Sequence, residues 1–178
     1  MPARQIFWCC QGDEEYRALA ERLQPVHGVY GMRSGHLVFS YTPDNVAALA
    51  ALYAEEMIAL QPDGGFLLGG NCQGGTIARA VAVQLQARGR TVDLLWLMEQ
   101  GRFPIYDGRV ILIFGADSHS NPYGRVQAPE RIFELAYGGN FAVRIIPGAH
   151  GQYFQSPGID ALAHVVKSTL ATLEDPTR

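Results

Sequence analysis

At 178 residues, 48% of them apolar and 17% charged, the chain has the size and composition of one globular domain with a real core. A net charge of −3 argues against the clustered basic surface that a nucleic-acid partner needs. No apolar run approaches the roughly 18–20 residues of a membrane span, and the first residues lead into a short strand pattern rather than a signal h-region. Three cysteines, an odd count, do not suggest a disulfide framework, so reduced thiols and a cytoplasmic setting are expected. No His/Cys cluster stands at ligand spacing, and neither a metal site nor a bound cofactor is expected.

In chain order, residues 5–10 read as a strand, and 13–23 as a helix with Tyr16, Leu19, Ala20 and Leu23 on one face. A second short strand covers 26–32. Thr42 and Pro43 supply an N-cap hydroxyl and an N1 proline to a helix whose stripe of Val46, Leu49, Leu52, Tyr53, Met57 and Leu60 runs to Pro62. The apolar run Phe66-Leu67-Leu68 leads into a glycine-rich turn, and a helical pattern over 76–88 leads out, closed by Gly89 at a C′ position. Strands at 92–98 and 109–115, a helix near 128–136, a strand at 142–146 and a helix at 158–173 complete the chain. Strands alternating with helices predict an α/β fold: one domain over 1–178, with a mostly parallel sheet covered by helices on both faces.

The glycine-rich turn, Gly69-Gly70-Asn71-Cys72-Gln73-Gly74-Gly75, contains the pattern Gly-x-nucleophile-x-Gly with cysteine in the central place. A strand before it and a helix after it are the context of a nucleophile elbow. Glycines two before and two after Cys72 remove Cβ atoms that would clash with the strand and helix. The turn points the thiol at a helix N-terminus, whose free N–H groups favour a thiolate and later an oxyanion. The bland alternative is a structural cysteine beside a flexible loop.

Catalytic groups in such a sheet sit at the carboxyl ends of strands. His150, in the loop Pro147-Gly148-Ala149-His150-Gly151 after the last strand, fits a general base in the chain order nucleophile, acid, histidine. His27, His36 and His164 fit that order less well. Two carboxylates compete to orient the imidazole: Glu99, at the end of the strand over 92–98, and Asp117, after the strand over 109–115. Arg88, Arg90, Arg102 and Arg109 cluster in sequence around the strand after the elbow; they suit either an acidic partner or a solvated surface. Tyr153 and Phe154 follow the histidine and line an acyl pocket or pack its loop. Cys9 and Cys10 end a buried strand.

Over residues 5–173 the chain resembles the thioesterase domains that terminate nonribosomal peptide and polyketide synthases, which have the α/β-hydrolase fold. The resemblance rests on Tyr53-Ala54-Glu55-Glu56-Met57, Gln61-Pro62-Asp63-Gly64, Phe66-Leu67-Leu68-Gly69-Gly70, Leu85-Gln86-Ala87-Arg88-Gly89, Val92-Asp93-Leu94-Leu95-Trp96-Leu97-Met98-Glu99, Tyr106-Asp107-Gly108-Arg109-Val110 and Pro147-Gly148-Ala149-His150. It implies an acyl-thioester hydrolase or acyltransferase with an S-acyl-cysteine intermediate. It also implies acyl groups delivered on phosphopantetheine by an acyl or peptidyl carrier protein, and a triad acid at Glu99. The oxyanion hole is then the backbone N–H of Gln73 with that of Gln11 or Gly12 from the first-strand loop. Three departures stand out. Cysteine replaces serine, Cys9-Cys10-Gln11-Gly12 lacks the family's His-Gly pair, and residues 100–108 replace a helical lid, which predicts an open, shallow pocket. Macrocyclisation, which needs a lid to exclude water, is not expected.

Dienelactone hydrolases provide a second resemblance through Gly70-Asn71-Cys72-Gln73-Gly74-Gly75, with the acid then at Asp117. That likeness implies a small ester or lactone hydrolase. A third reading is a degenerate, non-catalytic domain that binds a carrier.

Overall fold

Side-chain alternation along the strands divides the interior into two layers. In the computed structural model, which describes residues 4–174, β1 (Gln5–Cys10) sends Phe7 and Cys9 to one layer and Ile6, Trp8 and Cys10 to the other. A strand with both faces buried needs this near-continuous apolar run. β2 (Gly28–Arg33), β3 (Phe66–Asn71), β4 (Val92–Met98), β5 (Val110–Gly115) and β6 (Phe141–Ile146) complete a six-stranded sheet. Every ladder is parallel, in the order β2-β1-β3-β4-β5-β6. α2 (Pro43–Leu60), α3 (Gln73–Ala87) and α4 (Glu130–Tyr137) bury Met57, Val81, Leu85 and Phe133 against one face. α1 (Asp13–Leu23) and α5 (Gly158–Glu174) bury Leu19, Leu23, Leu162 and Val166 against the other. This is the α/β architecture that the alternating pattern predicts.

The strand order positions the site. The chain runs outward from β1 to β2, then returns past β1 to form β3. Strand order therefore reverses between β1 and β3, and the carboxyl ends of these two strands flank a crevice. Gln11 follows one of them and Cys72 follows the other.

Local chemistry accounts for most boundaries. Thr42 caps α2 by accepting the Asn45 N–H at 3.2 Å, with Pro43 in the first turn. Gly89 is left-handed at φ +73° just past α3. Some boundaries differ from the sequence expectation. β2 starts at Gly28 and α4 at Glu130, each two residues late. α3 starts at Gln73, three residues early, because tertiary packing holds Gly74 and Gly75 helical despite an intrinsic cost of about 1 kcal/mol each.

Residues 99–109 join β4 to β5 without a helix, so no helical lid is inserted between these two strands. The connection is tied down by Phe103, whose ring lies edge-on to Phe133 at 4.9 Å, and by buried Tyr106, whose N–H donates to Ala136. No helix among the described residues is long and apolar enough to cross a membrane. No group of three or more His, Cys, Asp or Glu among them is placed to hold a metal ion.

Candidate active site

One residue makes the turn between β3 and α3. Cys72 sits at φ +52°, ψ −123°, a region that a non-glycine residue occupies only where its surroundings force it. The constraints are visible. Its N–H donates to the Met98 carbonyl at 2.9 Å, and its own carbonyl accepts from the Gly75 N–H at 3.1 Å and from Gln100 Nε2 at 2.6 Å. The two pattern glycines answer a steric demand. A Cβ on Gly70 would lie 2.5 Å from the Gly74 carbonyl oxygen, and one on Gly74 would lie 2.2 Å from that of Cys9. Only glycine lets β1, β3 and α3 approach this closely.

The Cys72 thiol is half-buried. Burial pushes its pKa up, the Gln73 N–H at the helix start pulls it down, and the carboxylates of Glu99 and Glu15 push it up again; the net direction is upward. This runs against the thiolate expected at the helix N-terminus: desolvation and two nearby carboxylates outweigh the Gln73 N–H.

Glu99 follows β4 with φ +58° and is 5% exposed. Its Oε1 accepts the Gly115 N–H at 2.8 Å, while Oε2 accepts from the Ser118 hydroxyl and lies 3.0 Å from His150 Nδ1. Burial alone would raise its pKa, but the bonds from Ser118, Gly115 and His150 outweigh that and hold it below the usual carboxylate range. His150 reaches this carboxylate from the loop after β6, beside Gly148 (φ +112°) and Gly151 (φ +87°). With Nδ1 facing Glu99, Nε2 is the nitrogen left for proton exchange. Cys72, Glu99, His150, Gln11, Glu15 and Tyr153 line one cavity of about 130 Å³. A second, of about 270 Å³, shares Cys72 and Glu99 with it and adds Thr76, Arg79, Gln100 and Arg102. Such a constellation can move a proton from a thiol to Nε2 and stabilise the imidazolium with a fixed carboxylate.

The remaining candidates divide. Asp117, the alternative acid, is exposed after β5 and lines a different cavity, with His119, Asn121 and Arg125. The turn at the end of β5 brings Ser118, not Asp117, to Glu99. Gln73 is the first residue of α3, and Gly12 is the half-buried N-cap of α1 with extended backbone. The Gln11 N–H is already committed: it donates to Glu15 Oε2 at 2.8 Å, and Asn71 Nδ2 donates to the same oxygen at 3.2 Å. The Gln11 side chain is pinned by Asn71 O and Ser34 Oγ. Glu15 thus occupies one donor that the oxyanion hole was expected to use.

Of the four arginines, Arg90 and Arg109 line one cavity together, which Arg88 and Arg102 do not line. Arg90 packs over Phe66 and bonds Gln61 and Gly64 carbonyls, Arg88 bonds Gln84, and Arg109 reaches Thr172. Arg90 and Arg109 precede β4 and β5, at the sheet edge opposite Cys72; only Arg102 stands at the carboxyl edge. Cys9 and Cys10 are fully buried. Tyr153 is buried and Phe154 packs partly against the α1/α5 layer, while both line the smaller cavity. Sequence reasoning did not single out Glu15, Ser118, Gln100, Arg79 or His119, whose ring lies 4.8 Å from that of His150. Gln100 and Ser118 adjoin the two candidate acids, which is a usable signal; Glu15 and Arg79 lie on helices whose spacing carries none.

No curated protein sequence matches the chain. Solved structures do. The NocB thioesterase domain from the nocardicin cluster is 20% identical with a TM-score of 0.72, over 94% of this chain and 94% of that one. RedJ, a thioesterase from the prodiginine biosynthetic pathway of Streptomyces coelicolor, is 17% identical with a TM-score of 0.69, over 94% and 90%. YbtT, a type II thioesterase from the yersiniabactin nonribosomal peptide/polyketide pathway, is 14% identical with a TM-score of 0.69, over 93% and 92%. At these identities the likeness is one of fold, and it makes the parallel sheet that of an α/β-hydrolase-like thioesterase. Residues 9–101, which carry the Gln11 loop, the elbow and Glu99, match the thioesterase domain family, and the chain belongs to that family.

Proposed function

We propose that the protein is an acyl-thioester hydrolase or acyltransferase that works through an S-acyl intermediate on Cys72. The observation that carries this reading is the 3.0 Å pairing of His150 Nδ1 with a buried, triply hydrogen-bonded Glu99 in the cavity that Cys72 lines. His150 Nε2 takes the thiol proton as Sγ attacks the thioester carbonyl carbon. The carbonyl oxygen becomes an oxyanion opposite the Gln73 N–H and the Gly12 loop; each such donor is worth about 3–4 kcal/mol. The C–S bond to the leaving thiol then breaks, and His150 returns the proton to that thiol. Water, or an amine or alcohol, attacks the S-acyl cysteine with His150 again as base, and Cys72 leaves as thiol.

A raised thiol pKa supports concerted deprotonation by His150 over a standing ion pair. Exchange of one thioester for another is nearly isoenergetic, so the acyl-enzyme stays reactive toward water and other nucleophiles alike. Acyl groups arriving on the phosphopantetheine arm of a carrier protein, in a compartment that keeps thiols reduced, suit this chemistry and the family. A lactone hydrolase is less favoured, since its acid belongs at Asp117, which is exposed and lines a different cavity from His150.

Thiol release from acyl N-acetylcysteamine and pantetheine thioesters tests the proposal. Release by the wild type that disappears in Cys72→Ala, with an acyl adduct on Cys72 seen by mass spectrometry, is the expected result. Equal release from both proteins rules out the cysteine mechanism. No release from either points to a non-catalytic carrier-binding domain.

A further inference from the structure

The larger cavity beside Cys72 is lined by two guanidinium groups, Arg79 and Arg102, and among the described residues neither has an ion-pair partner. Arg79 lies about two turns along α3 from the elbow, and helical side chains lean toward the N-terminus, here toward Cys72. It is half-buried and lines the cavity, with Arg102 and Pro104 exposed at the rim. Burial lowers the Arg79 pKa, and its titratable neighbour is the buried Tyr137, whose phenol is neutral near pH 7 because burial pushes its pKa up to about 12. Among the described residues no carboxylate pairs with Arg79 or Arg102, whereas Arg4, Arg22, Arg33 and Arg88 each have one. Glu99 borders the cavity, but both its oxygens are taken by Gly115, Ser118 and His150. The Gln100 amide is likewise held by the Cys72 and Met98 carbonyls. A half-buried guanidinium without a partner is costly, and an entering anion relieves that cost with directional hydrogen bonds. The smaller cavity adds a second carboxylate, Glu15, to the shared Glu99 and is lined by no arginine.

We propose that the Arg79/Arg102 cavity is the acyl subsite and takes an acyl group ending in a carboxylate, the half-thioester of a short dicarboxylic acid. This rests on the thioesterase reading and names its substrate class. The distal carboxylate pairs with Arg79 and Arg102 while the thioester carbonyl lies at Cys72. A pantetheine phosphate is the other anion a thioester substrate carries. The whole pantetheine arm separates it from the reacting carbonyl, so it cannot reach a cavity of about 270 Å³ that has Cys72 in its wall.

Two measurements test the proposal. The first compares kcat/KM for succinyl- and butyryl-N-acetylcysteamine, substrates that contain no phosphate. The wild type is expected to favour the succinyl thioester about tenfold, with the ratio collapsing toward unity in Arg79→Gln, partly recovering in Arg79→Lys and shrinking with salt. An equal or greater rate on butyryl overturns the subsite while leaving the thioesterase reading intact. The second needs no turnover. Cys72 is labelled with the anionic 2-sulfonatoethyl and the cationic 2-trimethylammonioethyl methanethiosulfonates, and the rate ratio is set against that of free cysteine. A ratio shifted about fivefold toward the anionic reagent, and reduced in Arg102→Gln, supports the subsite; Arg102 is exposed, so this variant does not threaten the fold. A ratio equal to that of free cysteine overturns the subsite, even if no thioester is hydrolysed and the thioesterase reading has failed on its own.

Discussion

Glu99 and Asp117 have the same chemistry available and differ in their surroundings. Glu99 is buried, receives three hydrogen bonds and faces His150, while Asp117 is exposed. Glu99→Gln is therefore expected to lower kcat/KM on thioesters by about 10²–10⁴-fold, through loss of the oriented imidazole. Asp117→Asn should leave it within about twofold of wild type; a large loss there would reverse the assignment. Because its folded pKa is depressed, Glu99 contributes stability that is present above the ordinary carboxylate range and lost as pH falls through the folded value. Wild type should thus lose its stability advantage over Glu99→Gln on acidification, as followed by Tm between pH 7 and pH 3. Glu15 offers a separate test. It adds negative charge near Cys72 and holds the Gln11 N–H. Removing that charge in Glu15→Gln should move the pH profile of Cys72 alkylation toward lower pH, and an unmoved profile would show that the Glu15 charge does not act on the thiol.

At the scale of elements, α2 and the elbow show two kinds of local rule. The α2 start is a matter of capping: Thr42→Ala should cost about 1 kcal/mol, or roughly 2–4 °C in Tm for a chain of this size, without changing thiol release. The elbow is a matter of steric approach. A Cβ at Gly74 would meet the Cys9 backbone at 2.2 Å, which cannot yield as a flexible side chain can. Gly74→Ala should therefore destabilise by roughly 1–3 kcal/mol and reduce activity together, measured by denaturant midpoint and by thiol release. Both signals were legible in the sequence because each is a short pattern with one physical cause. The start of α3 was not, since Gly74-Gly75 looks like loop until β1 packs against it.

For the whole molecule, alternating apolar runs and amphipathic segments led to the right elements with ends shifted by a few residues, and to a parallel sheet with two helical layers. Legibility fell where partners are distant along the chain. Glu99 and His150 are 51 residues apart, and Asn71 and Glu15 are 56 apart. The order of β2, β1 and β3, which opens the crevice, follows from crossovers that local periodicity does not encode.

By itself the sequence determined the α/β class, the cysteine elbow with its two obligatory glycines, the short connection in place of a lid, and His150 as the loop histidine after the last strand. These follow from periodicity, from steric exclusion around one turn and from chain order, all of which operate over a few residues. Tertiary structure alone decided which carboxylate meets His150, that Glu15 occupies the Gln11 donor, that the Cys72 pKa moves up, and that Arg79 lines the cavity with no ion-pair partner among the described residues. Each depends on burial and on charges brought together from separate elements, and the strength of an electrostatic interaction is set by that three-dimensional environment.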